Sequence, residues 1–428
     1  MTTATSAPAT RPAAPRTRIP WFTRKLRGAF ESRMSALTRG SARIVESGSG
    51  RTVQLGTGDV VATLRVHDTS FYKDLALRGS IGAAEAYAGG RWDCDDLPKL
   101  VALLVRNRDV LETLEGGLAK LSVPLQKLAH TLRPNSRAGS RKNIAAHYDL
   151  GNDFFQLWLD ETMTYSSGIF EREDATLAEA STAKLDRLCR KLDLAPTDRL
   201  LEIGCGWGSM ALHAATHYGC HVTATTISDE QFELASERVR AAGLTDRVEI
   251  IKQDYRDLVG QWDKIVSVEM IEAVGAPHLD EYTRACQRLL APDGLFALQA
   301  ITIADQQYEA ARDSVDFIKR HIFPGSFIPS VTSILNSATR TDDLRLVHME
   351  DIGPHYARTL ACWRENLRGV WSESRELGCG EEFLRLWEYY LAYCEGGFAE
   401  RFLGVAQMVF SRADNRSAPL LPDLAGAR

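Results

Sequence analysis

No stretch of this chain stays apolar for the roughly 18 residues that a membrane-spanning helix needs. Nor does an apolar core follow the basic residues at the amino end, so a secretory leader is not expected. Carboxylates are missing from the start of the chain, where Arg11, Arg16, Arg18, Arg24, Lys25 and Arg27 all precede the first acidic residue, Glu31. Large apolar side chains are scarce up to about residue 18, and such a segment cannot bury enough surface to offset its ordering entropy. It is expected to be disordered. The eight cysteines form no C-x-x-C pair and have no zinc-finger spacing, which leads to an expectation of reduced thiols in a cytoplasmic protein. His213 and His217 stand one helical turn apart, but the H-E-x-x-H glutamate is absent and no metal is expected. Trp- and Tyr-rich segments occur without a basic stripe, which argues against a nucleic-acid face. No repeat recurs at solenoid periods.

At 428 residues and a net charge of −5, the chain exceeds one ordinary domain. Residues 1–40 read as a basic, largely disordered tail. Its Arg16–Arg43 part, with Trp21, Phe22 and Phe30 interleaved, suits either anionic lipid headgroups or plain solvation. Short β-like runs at Arg43–Glu46, Thr52–Leu55 and Val60–His67 alternate with Gly-rich turns. Helical segments follow at Ser70–Arg78, Gly82–Tyr87 and Leu97–Leu114, giving a small α+β front domain over 41–132. The Pro-, Ser- and Gly-containing stretch 133–142 reads as a linker. A catalytic domain over 143–412 and a short tail, 413–428, complete the chain. Within that domain, strands near 199–204, 222–226, 248–252, 263–268 and 295–302 alternate with helices, the pattern of a parallel α/β sheet covered on both faces. Beyond them come a strand at Leu344–Ile352, helices at Arg358–Glu376 and Glu381–Cys394, and a closing strand at Val405–Arg412.

Arg199–Gly208, R-L-L-E-I-G-C-G-W-G, is the organising stretch: an apolar run ending in Glu202, then Gly204, Gly206 and Gly208, then an Ala-rich helix. Glycines let backbone approach a ligand, and the carboxyl ends of strands are where open α/β sheets bind nucleotides. A dinucleotide fold wants G-x-G-x-x-G and a ribose-binding carboxylate at the end of the second strand. Here the loop is G-C-G-W-G and that strand ends in threonines, so NAD is disfavoured. The loop matches better that of S-adenosylmethionine (SAM) methyltransferases, with Asp254 after the third strand as a polar group for the adenine side.

Around that loop, N-I-A-A-H-Y-D-L-G-N-D-F-F-Q-L-W-L-D-E-T-M-T-Y-S-S-G-I-F (143–170), T-I-S-D-E-Q (226–231), V-S-V-E-M-I-E-A-V-G (266–275), I-F-P-G (322–325) and H-Y-A-R-T-L (355–360) occur in order. From about 140 to 412 the chain resembles the cyclopropane-fatty-acid synthase and mycolic acid methyltransferase family. S-I-G-A-A-E-A-Y-A-G-G-R-W-D-C-D-D-L (80–97) is similar to the front domain of its phospholipid-acting members. The resemblance implies a class I SAM-dependent methyltransferase, Rossmann-like, with SAM against Tyr165, Ser166, the loop 202–208, Thr226, Gln231, Tyr255 and Arg256. It implies a bicarbonate-binding and catalytic set of Cys, Glu, His and Tyr. Glu272 and Tyr356 match two of these, whereas Ser167 stands in the Cys position and Gln299 in the His position. Cys394 matches another family cysteine near the substrate, and simple packing is an equal alternative for it. His147 and Tyr148 either shape the cofactor entrance or brace it.

An isolated alkene is a poor nucleophile, so methyl transfer needs close placement in a dry pocket. The resulting carbocation calls for aromatic faces, here Tyr356 and Tyr165, and for a carboxylate, here Glu272. A base must then remove a proton. Ser167 and Gln299 can donate to a bound bicarbonate, but neither can become cationic as His can. The implied activity is one-carbon transfer to the double bond of unsaturated acyl chains of membrane phospholipids at the inner membrane face, giving cyclopropanes. Methylene- or methyl-branched chains, and a SAM- and lipid-binding protein without turnover, are the alternatives. A homodimer is plausible by the same resemblance.

Overall fold

The computed structural model describes residues 20–115 and 151–420, so the expected linker at 133–142, His147 and Tyr148 lie outside the described residues. The first helix, α1 (Trp21–Met34), corrects the expectation of a largely disordered tail to residue 40. Phe30 and Met34 fall one turn apart on a single face and are buried, as is Leu37. The basic residues around them are used as well: Arg27 bonds Glu46, and Arg51 grips Glu31 through both guanidinium nitrogens.

Strands β1 (Gly40–Glu46), β2 (Arg51–Thr57), β3 (Val60–Val66) and β4 (Trp92–Cys94) form a sheet in the order β2-β1-β3-β4. Between the last two runs α2 (Phe71–Ala88), which joins the two expected helices across a kink at Gly79, where φ is +55°. The single helix expected over Leu97–Leu114 is instead α3 (Leu97–Arg106) and α4 (Arg108–Glu115). Asn107 makes the break. Its Oδ1 accepts from the amides of Thr38 (2.9 Å) and Arg39 (3.1 Å), while its Nδ2 donates to the Leu103 carbonyl at 2.8 Å.

The second part begins with α5 (Asn152–Trp158) and α6 (Leu177–Lys191), the latter started by a Thr176/Glu179 capping box. Then come β5 (Arg199–Ile203), α7 (Ser209–Tyr218), β6 (His221–Thr226), α8 (Asp229–Ala241), β7 (Val248–Lys252), β8 (Trp262–Val268), α9 (Leu279–Leu289) and β9 (Leu290–Ile303). They are followed by α10 (Asp305–Arg312), α11 (Val331–Ala338), β10 (Arg345–Asp351), α12 (Gly353–Gly369), α13 (Trp371–Glu376), α14 (Glu381–Ala399) and β11 (Leu403–Ser411). The helix expected over Arg358–Glu376 is thus two, parted at Val370. The seven strands order as β10-β11-β9-β8-β5-β6-β7, with β11 antiparallel to β9 and to β10 and the other pairs parallel. From β5 the chain runs outward to β7 and then returns to β8 on the other side of β5. A strand order that reverses there opens a crevice at the carboxyl ends of β5 and β8.

The two parts share one hydrophobic core. At Gly396 of α14 a side chain would meet the Pro98 carbonyl at 2.7 Å, so α3 packs directly on the α14 backbone. Tyr87 donates to Glu388 at 2.8 Å, and Arg385 donates to the Tyr87 carbonyl and to Asp93. Among the described residues no helix is long and apolar enough to cross a membrane.

Candidate active site

A cavity of about 1090 Å³ starts at the carboxyl ends of β5 and β6 and continues past β8 and β9 to α2, α3 and α4 of the front part. At its inner end lies the glycine loop. Gly204, Gly206 and Gly208 all have positive φ, the left-handed region that other residues adopt at a cost. A Cβ at Gly206 would meet nothing within 4 Å, which leaves the backbone open to a ligand.

The residues around the loop fit SAM. Glu202 Oε2 is buried without a hydrogen-bond partner, and burial pushes the Glu202 carboxyl up to about 8 against the pull of Lys184. Such an oxygen is suited to an ammonium group, which SAM carries on its amino acid end. Thr226 Oγ1 accepts from the Ser228 amide and donates to Gln231 Oε1 at 2.8 Å, so the Gln231 Nε2 hydrogens remain for ribose hydroxyls. Asp254 lines the cavity after the third strand. Its carboxylate accepts from the Arg256 amide, Nε and Nη2 at 3.0, 2.9 and 2.6 Å, and so braces the turn that carries Tyr255 and Arg256. Tyr165 shares a 3.0 Å hydrogen bond with Tyr390, and Ser166 Oγ accepts from Lys184 Nζ at 2.7 Å. Lys184 was not anticipated, although its place on the apolar stripe of α6 with Leu177, Ala180, Leu185 and Leu188 is a legible signal. It is almost fully buried, and desolvation lowers it to about 8.

Ser167, Gln299 and Tyr356 do come together, but on Glu269. Glu269 Oε1 accepts from the Ser167 amide at 2.9 Å and from Gln299 Nε2 at 2.8 Å, while Oε2 accepts from the Tyr356 hydroxyl at 2.9 Å. The Ser167 hydroxyl takes no part, since it donates to the Gly168 carbonyl. Its backbone amide is the group that reaches Glu269. Glu269 follows the end of β8 at φ +49°, a left-handed conformation for a non-glycine residue. Burial raises its pKa, and the bonds from Gln299, Ser167 and Tyr356 and the charge of Lys184 pull it back.

Sheet register explains how Gln299 is aimed. Val268 pairs with Gln299 across β8 and β9, and Gln299 pairs with Gln407 across β9 and β11. Lys191, which can only donate, bonds Gln407 Oε1 at 2.7 Å, so Gln407 Nε2 donates to Gln299 Oε1 at 2.9 Å. Gln299 Nε2 is then left to donate to Glu269. Glu350, bonded by Lys191 and Arg187, anchors the far end of this relay. The signal for Glu269 was present in E-M-I-E, but its spacing does not say which of the two carboxylates the donors reach.

Glu272 lies beside this group. Its Oε1 accepts from the Ile301 amide at 2.6 Å and its Oε2 is buried without a partner. Burial first, and the Glu269 charge second, push it up to about 8. Both residues line the cavity. Tyr356 packs on Phe398 with ring centroids 4.6 Å apart and meets the edge of Trp363, which packs in turn on Tyr165 at 5.2 Å. Cys394 borders the same cavity. Burial pushes its thiol far up, which keeps it in the protonated form.

Bicarbonate does not fit this arrangement. The donors contributed by positions 167, 299 and 356 are already satisfied by the Glu269 carboxylate. The His213 and His217 rings lie 4.5 Å apart, tilted by 44°, and among the described residues no cluster suited to a metal occurs.

Known proteins place the chain in a family. The mycolic acid cyclopropane synthetase family matches residues 135–408. Tuberculostearic acid methyltransferase UfaA1 of Mycobacterium tuberculosis is 40% identical over 349 residues, covering 79% of this chain and 80% of that protein. Cyclopropane-fatty-acyl-phospholipid synthase of Escherichia coli is 36% identical over 357 residues, 83% of this chain and 89% of its own. The cyclopropane synthase MmaA2 from M. tuberculosis superposes with a TM-score of 0.60 at 32% identity, covering 64% of this chain and 98% of that one. With its Rossmann-like sheet, its glycine loop and a match over most of its length, this chain belongs to the mycolic acid cyclopropane synthetase family of class I SAM-dependent methyltransferases.

Proposed function

We propose that the protein transfers a one-carbon group from SAM to the double bond of an unsaturated acyl chain carried by a membrane phospholipid, and that the product is a methylene-branched chain. The observation that carries this reading is the continuous cavity, which joins the cofactor loop to a tyrosine–carboxylate centre and then to the apolar side chains of Ile81, Val101 and Leu104. SAM supplies a methyl group made electrophilic by its sulfonium. Glu202 would hold its ammonium, Thr226 and Gln231 its ribose, and Tyr255 and Arg256 its adenine side. Bonding of the methyl carbon to one alkene carbon leaves positive charge on the other. The faces of Tyr356 and Tyr165 and the free oxygen of Glu272 meet that charge in a site screened from water.

The branched product is favoured by the departures at Ser167 and Gln299 from the family's cyclopropane-forming set, and a methyltransferase stands among the relatives. A hydride shift toward the first cation gives a tertiary one, and loss of a methyl proton then yields the methylene chain. Reduction to a methyl branch would need a hydride donor from another reaction. Cyclopropane closure is the second reading, favoured by the retained Tyr356 and Glu272. Membrane contact is consistent with the exposed Trp21 and Phe22 at the start of α1, where Lys25 Nζ sits 5.0 Å from the Trp21 ring centre.

Incubation with SAM and vesicles of cis-unsaturated phosphatidylglycerol is expected to add one CH2 to the acyl mass. Vinylidene signals in the proton NMR spectrum support branching, and upfield ring protons would reverse the product assignment. Unchanged acyl masses would remove the function altogether. Leu104→Trp, which fills the front arm of the cavity, is expected to raise KM for the lipid by about tenfold or more and to leave the Kd for SAM unchanged. An unaltered KM would show that the chain does not lie along α3.

A further inference from the structure

We propose that Glu269 is the enzyme's own base, a carboxylate built into the chain where the family resemblance implies a bound bicarbonate, so that turnover needs no bicarbonate. This deepens, and depends on, the proposed acyl C-methylation.

Three independent features point the same way. The first is the identity of the donors. Positions 167, 299 and 356 supply three of the four members of the implied bicarbonate set, and each gives a hydrogen bond to Glu269, at 2.9, 2.8 and 2.9 Å. A carboxylate and a bicarbonate present the same pair of acceptor oxygens, so one replaces the other in that cradle. The fourth member, Glu272, stays alongside and makes no bond to Glu269.

The second is protonation chemistry. A neutral Gln amide and a backbone amide donate without carrying charge, which suits an anion whose countercharge is already fixed nearby. Lys184 provides that countercharge from α6, buried and bonded to Ser166. The relay from Lys191 through Gln407 leaves Gln299 with only a donor to offer Glu269. A histidine at 299 could exchange protons with its partner. Glutamine cannot, so the acceptor at the centre is a carboxylate, and with Glu272 assigned to the developing cation that part falls to Glu269.

The third is the backbone. Glu269 holds φ at +49°, in a left-handed region where non-glycine residues carry strain. Glycine would relieve that strain. A glutamate kept there, with its carboxylate lining the cavity, is the kind of outlier that accompanies a working group.

The step balances within the protein. Glu269 Oε2, with three of the carboxylate's four lone-pair positions occupied by donors, takes the methyl proton on the fourth. The C–H electron pair closes the C=C bond of the branched chain, and the cation is discharged. The neutral carboxyl returns its proton to water once the product leaves.

The test uses the intact protein, SAM and cis-unsaturated phosphatidylglycerol vesicles, in buffer stripped of carbon dioxide and again with bicarbonate added. Wild-type turnover is expected to be equal in both. Glu269→Gln should lose about 10²–10³-fold in turnover while binding SAM with unchanged affinity by calorimetry. Glu269→Gly, which opens the cradle and relaxes the backbone, should be equally slow without bicarbonate and should regain at least about tenfold with it, a rescue no purely structural role would produce. Wild-type turnover that appears only with bicarbonate, or wild-type rates in Glu269→Gln, would overturn the inference and leave the acyl methylation standing. Absence of transfer under both conditions would instead overturn the methylation itself, and the inference with it.

Discussion

Glu272→Gln is expected to slow methyl transfer by about 10³-fold with little change in SAM affinity. The substitution keeps the size of the side chain and the acceptor oxygen held by the Ile301 amide at 2.6 Å. What it removes is negative charge at the oxygen that has no partner in the protein. A fixed charge aimed at a developing cation in a water-poor site is typically worth about 3–4 kcal/mol. Single-turnover rates with pre-bound SAM measure the loss, and a loss below about tenfold would remove Glu272 from the charge-stabilising part.

The same residue sets a pH dependence. Glu202 and Glu272 both have carboxyls raised to about 8, from burial above all, and both act as anions. As pH falls through 8 their ionised fractions shrink, so kcat/KM for SAM is expected to drop on the acid side. Stability runs the opposite way. A carboxyl raised above its ordinary 4.5 is protonated more readily in the folded chain than in the unfolded one. Its contribution is complete below 4.5 and is lost as pH rises through 8. Because His213, His348 and His355, lowered by burial, act with the opposite sign in that window, the decline is read as the fall with pH in the melting temperature of the cofactor-free protein relative to Glu272→Gln.

Gly204→Val is expected to abolish measurable SAM binding, a loss of at least about 100-fold. Gly204 has φ +83°, and a Cβ there would lie 2.6 Å from Met270 Cγ. A β-branched residue is poorly suited to that conformation, and the strain belongs to the loop that must curl round the cofactor. Met270 lies between Glu269 and Glu272, so a displaced Met270 would disturb both carboxylates. Calorimetry checks affinity and circular dichroism checks folding. A folded variant with wild-type affinity would mean that the loop tolerates movement the glycine was thought to forbid.

How much was legible depended on the range of the interaction. The strands from β5 to β8 and the loop between β5 and α7 were readable because apolar runs, turn glycines and helix periodicity are local properties. The break at Asn107 was not, because it is made by amides of Thr38 and Arg39, 69 and 68 residues away. The helix α1 was hidden behind its own positive charge, and only the strands beneath it reveal that Phe30 and Met34 have a surface to cover. Lys184 and Glu269 were overlooked for the same reason. A lysine on an apolar stripe and a glutamate at a strand end acquire meaning from what other segments set against them.

The sequence by itself determined the cofactor class, the α/β architecture and the family, and it named Ser167, Glu272, Gln299 and Tyr356 as candidates without Glu269. Those features are written in contiguous motifs whose residues lie within a turn or a strand of one another. Tertiary structure alone decided what the centre is gathered around. The donors to Glu269 are separated from it by 102, 30 and 87 residues, and no spacing rule spans such distances. The register of β8, β9 and β11 aligns Gln299 with Gln407 and brings Val268, next to Glu269, against the same strand. That register turns a glutamine in the position of a histidine into a fixed donor, and turns a glutamate of the E-M-I-E motif into the hub of the site.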